Sequence, residues 1–309
     1  MTLEAQEQFE ALEGRLRAML PEEYQDGYED VQPVSMGSAG LKYDAEGRVA
    51  WDEIWETFCD LAMAGGPPHK GKLLEPGSSR EIDAEPDRYR QVVDEICRGV
   101  AMVTDLAVKP SSVPGWVGAE CLWETKAAWL ERAIIMENVS VRSEGTVLEL
   151  PAGPGYRLEK EIKNVITVIA KTCHYWDGHM WSFQQREIGG VIAEMEAVSP
   201  LIRPAVDEGI DQGGVYRAIL DRISEAIQQA THLRPVEPQC TGWFGMECPD
   251  VRAAVWMMRA FVGCNVLSRR EGTVLFVPVN PASDPGGETV IRAVTRVYGF
   301  AVARGVIAA

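Results

Sequence analysis

The feature that most constrains this chain is that part of it occurs twice. Residues 115–151 overlay residues 242–278 without a gap and share 18 identities in 37 positions, where unrelated stretches of average composition share about two. The pairs include Trp116 with Trp243, Gly118 with Gly245, Glu120 with Glu247, Cys121 with Cys248 and Arg142 with Arg269, and the run EGTVL recurs at 144–148 and 271–275. A third, more diverged copy is read from Val31, where VQPVSMGSAG resembles VKPSSVPG and LRPVEPQCTG, and where KGKLLEP at 70–76 stands in the place of EGTVLELP. This reading divides the chain into an N-terminal acidic helix and linker (1–30), repeat one (31–107), repeat two (108–180), a helical insertion (181–232) and repeat three (233–309), each repeat being about 77 residues long.

Within each repeat the local signals follow one order. A short strand ending at Pro precedes a Gly-rich loop, a helix, a tight Gly turn, a strand, a Pro/Gly loop and a second helix. KAAWLERAIIMENV and RYRQVVDEICRGVAMV carry apolar residues three and four apart, while TVLELP and TVLFVPV are short, apolar and bounded by Gly or Pro. Strands alternating with helices predict an α/β fold: three tandem βαβα-type repeats with mainly parallel strands and right-handed crossovers, packed as one body. The all-helical insertion between repeats two and three predicts either a lid or a homo-oligomer contact.

Composition narrows the function classes. The formal net charge is −16, and the basic residues are scattered instead of gathered, which opposes a nucleic-acid backbone. Apolar runs are interrupted well short of the roughly 20 residues that a membrane span needs, so no membrane association is expected. The acidic N-terminal stretch resembles neither a secretory signal nor a transit peptide. Seven cysteines with no CxxC pair predict free thiols in a reducing compartment, and hence a cytoplasmic location.

In parallel α/β arrangements ligands gather beyond the carboxyl ends of strands, which points to the loop GW-x-G-x-EC at 115–121 and 242–248. There Trp116 and Trp243 offer flat apolar walls for substrate, and Glu120, Cys121, Glu247 and Cys248 are the candidate catalytic residues. A thiol near a helix N-terminus is a candidate nucleophile or metal ligand. His69 and Lys70 in the turn AGGPPHKGK, between a helix and a strand, are candidate anion contacts, as are Arg80 after the first repeat's second strand and Asn280 after the third's, which precede helices. Gly66 to Lys72 fits the outline of a phosphate-binding loop, but Leu73 stands where Ser or Thr would hold magnesium. In TCHYWDGHMW, Cys173, His174 and His179 offer sulfur and imidazole ligands suited to zinc or iron, although their spacing matches no zinc-site pattern.

Together these residues predict an enzyme acting on a small anionic metabolite in a cleft between repeats, with Glu as acid/base and Cys as nucleophile or metal ligand. The alternative is a non-catalytic small-molecule-binding or assembly protein built from the repeats.

Overall fold

The computed structural model describes residues 3–25, 40–53, 71–206, 210, 213–236 and 240–308. The chain forms two compact units, one of residues 32–185 and one of residues 1–31 with 186–309. Among the described residues, no helix is long and apolar enough to cross a membrane.

The N-terminal segment contributes α1 (Leu3–Ala18) and α2 (Glu22–Gln25). In residues 32–185 the described elements are α3 (Ser79–Ala84), α4 (Pro86–Val103), β1 (Ala107–Pro110), β2 (Trp116–Glu120), α5 (Glu124–Ile135), β3 (Arg142–Glu144), β4 (Val147–Pro151) and α6 (Lys163–His174). One π-helical turn, Leu158–Ile162, leads into α6 and a second, Tyr175–His179, follows it.

Helix α4 begins with Pro at its first position, where a missing amide proton costs nothing. It buries Val92, Val93, Ile96, Gly99 and Val100, a stripe at helical spacing. At its end the Thr104 hydroxyl donates to the Val100 carbonyl at 2.8 Å and accepts from the Leu106 amide at 3.3 Å, turning the chain into β1. The hairpins β1–β2 and β3–β4 join through β2 and β4 into a four-stranded sheet of order β1-β2-β4-β3, antiparallel throughout. Val117 pairs with Leu150 and Ala119 with Leu148. All four are fully buried and share the face opposite Trp116, Gly118 and Glu120, as strand alternation requires. Helices α4 and α5 pack on this sheet, and α6 packs on both of them.

Helix α7 (Ser182–Val198) runs across the division at residue 185, and the other unit continues with α8 (Gly214–Thr231), β5 (Arg234–Val236), β6 (Trp243–Glu247), α9 (Val251–Gly263), β7 (Arg269–Glu271), β8 (Val274–Pro278) and α10 (Glu288–Ala303). Its sheet has the corresponding order, β5-β6-β8-β7, and is again antiparallel. The correspondence reaches single hydrogen bonds. Thr231 bonds Ile227 and Leu233 as Thr104 bonds Val100 and Leu106. The Gly242 amide donates to the Tyr216 hydroxyl at 2.9 Å, and the Gly115 amide to the Tyr89 hydroxyl at 2.8 Å. Helix α1 completes this unit: Phe9 meets Phe300 edge-on at 5.2 Å between ring centroids, and Arg15 donates to the Gly263 carbonyl at 3.3 Å.

These findings correct the expected architecture of three βαβα repeats with mainly parallel strands. The described strands form two separate antiparallel sheets, and parallel pairing is confined to the isolated bridges Leu74–Val139 and Ile202–Val266. KLLEP therefore supplies one bridge instead of a third sheet. The expected helical insertion is corrected as well, because α8 occupies in its unit the place that α4 holds in the other, down to the Thr and Tyr contacts.

The physical source of the error is the GW-x-G-x-EC segment, which reads as a loop and folds as the central strands β2 and β6. Gly245 sits mid-strand because a Cβ there would lie 2.9 Å from the Val236 carbonyl oxygen. It marks a close approach of backbones, not a turn.

Candidate functional site

The sequence-derived catalytic residues fall on two different units. Glu120 ends β2, half-buried, and accepts from the Leu122 amide at 3.3 Å. Glu247 ends β6 and is held by the Thr273 hydroxyl and, at 3.6 Å, by Arg234. Cys121 and Cys248 are buried just beyond those strands, with exposures of 1% and 2%. Burial pushes the Cys121 thiol up to about 12, Glu120 and Asp177 adding to the rise and Lys126 opposing it. Burial, followed by Glu247 and Asp250, pushes Cys248 up to about 12 as well. A thiol in that range is a poor nucleophile near neutral pH.

Trp116 and Trp243 are sealed beneath guanidinium groups: Arg142 lies 4.5 Å from the Trp116 ring centroid and Arg269 lies 5.0 Å from that of Trp243. Arg142 is itself held by Glu149 at 2.5 Å. These rings, at 4% and 1% exposure, offer no open wall to a substrate.

Of the expected anion contacts, His69 and Lys70 lie outside the described residues. Arg80 is exposed on α3, whose start is closed by the reciprocal pair Ser78 and Glu81. That capping accounts for the local sequence without a ligand. Asn280 donates to the Arg203 carbonyl at 3.1 Å and accepts from the Ala282 and Ser283 amides, as a turn-former does.

The proposed metal ligands are only partly brought together. Among the described residues, no group of three or more His, Cys, Asp or Glu side chains is disposed to hold a metal ion, so Cys173, His174 and His179 do not form a three-ligand set. Cys173 is buried, and burial pushes its thiol up to about 12. His174 and His179 do meet, with Nε2 atoms 3.1 Å apart. Burial lowers the His174 pKa, with His179 contributing in the same direction and Asp177 opposing it. Asp177 is fastened by the Lys126 ammonium at 2.8 and 3.0 Å.

Beside this pair is a cavity of about 410 Å³, lined by Ala101–Asp105 at the end of α4 and by Ala170, Cys173, His174, Asp177 and Gly178. Asp105 and the C-terminus of α4 bring negative charge to it, because a helix end carries roughly half a negative charge on its unsatisfied carbonyls, whereas the charge of Asp177 is offset by Lys126. Thr104 and Asp105 are absent from the sequence-derived site. Their only signal is a polar pair closing an amphipathic helix, which ordinary helix ends share. Comparison of the chain with protein-family models, curated proteins and solved structures finds no match.

Proposed function

We propose that the chain is a non-catalytic small-molecule-binding protein whose ligand carries a cationic group into the cavity at the end of α4. The observation that carries this reading is the lining: Asp105 and the carbonyl end of α4 face the same space, beside Asp177, whose charge is already met by Lys126. A cation placed at a helix C-terminus gains about 0.3–1 kcal/mol from the dipole, and the Asp105 carboxylate adds to it. An anionic metabolite would meet the same groups with the opposite sign. The enzyme reading has less support, since the two cysteines it needs are protonated, buried and close to carboxylates.

Agmatine and spermidine, assayed against citrate and phosphate by thermal shift at low salt, test the proposal. The amines should raise the unfolding temperature saturably, the anions should not, and Asp105→Asn should weaken the amine effect at least fivefold. Equal response to amines and anions, or an amine effect undiminished in Asp105→Asn, overturns it.

A second reading, self-association through the helices after residue 181, is favoured by the exposure of Trp181 (75%) and Phe183 (64%). Sedimentation should then show a dimer that Trp181→Ser shifts toward monomer. A native chain that is monomeric at all concentrations removes this reading.

A further inference from the structure

We infer that His174 and His179 form a two-imidazole site for a late first-row divalent metal ion at the edge of the cavity. The inference starts from the spacing. In an α-helix, which advances about 100° per residue, side chains five positions apart point to different sides of the axis. Here the segment Tyr175–His179 is a π-helical turn that begins where α6 ends at His174. Its i to i+5 pattern brings positions five apart onto the same side. Isolated π-turns are uncommon within α-helices and concentrate at functional sites, and this one places two chemically matched side chains face to face.

The geometry suits chelation. The two Nε2 atoms are 3.1 Å apart and the rings are inclined at 64°. Metal–imidazole bonds of about 2.0–2.1 Å in a tetrahedral arrangement separate two nitrogens by roughly 3.3–3.4 Å, so the pair needs to open by only a few tenths of an ångström. On metal binding each ring would take the tautomer that carries its proton on Nδ1, which leaves one Nε2 lone pair per imidazole for the ion and both rings neutral. His174 also lines the cavity, along with Asp177 and Gly178, which leaves room beside the pair for water or a ligand atom. No third His, Cys, Asp or Glu among the described residues completes the set, so solvent or a small ligand fills the remaining positions. Imidazole donors favour Cu²⁺, Ni²⁺ and Zn²⁺ over Mn²⁺. This site stands independently of amine binding, which depends on Asp105.

The test is titration of the full chain with Cu²⁺, Ni²⁺, Zn²⁺ and Mn²⁺ by isothermal calorimetry, with electron paramagnetic resonance of the Cu²⁺ form. The expected result is one ion per chain, in the order Cu²⁺ above Ni²⁺ and Zn²⁺ with Mn²⁺ weakest, and hyperfine splitting from two imidazole nitrogens. His174→Ala and His179→Ala should each weaken Cu²⁺ binding at least tenfold, whereas Asp105→Asn should not weaken it by more than twofold or threefold. His232→Asn, which alters an exposed histidine at the end of α8, should leave it unchanged. The proposal is overturned by absence of one-to-one Cu²⁺ binding in the native chain, by equal binding in both alanine variants, or by a spectrum lacking two imidazole nitrogens. The spectrum of the native chain decides the matter even where a variant fails to fold.

Discussion

Leu122 has a backbone φ of +63° although it is not glycine. The Trp123 amide donates across it to the Cys121 carbonyl at 2.7 Å, so the residue is held at the centre of a three-residue turn. Such turns with positive φ are rare and strained, at a cost of about 1–3 kcal/mol. The side chains gain little in return, since Leu122 is 73% and Trp123 is 69% exposed. The other unit has Pro249 and Asp250 in these positions, and the Asp250 side chain caps α9 by accepting from the Ala253 amide at 2.7 Å. Leu122→Gly and Trp123→Asp should therefore each stabilise the protein by about 1 kcal/mol, seen as a higher urea midpoint. An unchanged or lower midpoint would refute the strain account.

The thiols make a second prediction at this scale. Burial raises Cys121, Cys173 and Cys248 from 9.0 to about 12. Because the folded value exceeds the unfolded one, each contributes stability that is fully present below about pH 9 and is lost as pH rises from there toward about 12. Iodoacetamide at pH 8 should leave these three unmodified in the native protein and label them in 8 M urea. Rapid native labelling of Cys121 or Cys248 would reopen the nucleophile reading.

Among elements, those whose signals are local were legible. The stripe that marks α4 and the apolar run that marks β4 are found where periodicity places them. The strand character of GW-x-G-x-EC was hidden because Gly245 answers to a carbonyl on a neighbouring strand, and no local pattern reports that. Cys173, His174 and His179 were legible as a cluster in the sequence, but that only the two histidines meet was not, since the α-helical period does not report the π-turn that unites them. The kinship of α4 and α8 was missed because Tyr89 with Tyr216 and Thr104 with Thr231 are scattered identities in otherwise different helices.

Close approach can be tested in the same elements. Gly242 has φ +82°, and a Cβ there would lie 2.3 Å from the Ala205 carbonyl oxygen, whereas Gly145 has φ +56° with open space around it. Gly145→Ala should cost about 1 kcal/mol for its backbone alone. Gly242→Ala should cost appreciably more, because backbone must also move. Equal losses in chemical denaturation would show that the contact carries no weight.

For the whole molecule, the correction from parallel repeats to antiparallel sheets changes where function can reside. Parallel strands would have aligned the Glu-Cys segments at one ligand-binding end. In the antiparallel units those segments are interior strands, and the open chemistry lies instead where α4 and α6 end. The second unit draws on both chain termini, since α1 belongs with residues 186–309. Removing residues 1–31 should thus expose the apolar surface of α9 and α10 and lower that unit's stability by several kcal/mol, given about 1.5–3 kcal/mol for each large buried side chain lost. Differential scanning calorimetry of the truncated chain measures this.

Residues 32–185 form a compact unit with a sheet of their own, and this is the central structural claim. Nuclear magnetic resonance of residues 32–185 expressed alone tests it most directly. The account predicts a dispersed spectrum with cross-strand contacts that join Val117 to Leu150 and Ala119 to Leu148, the antiparallel register of β2 and β4. A collapsed spectrum, or contacts that advance in the same direction along both strands, would contradict it.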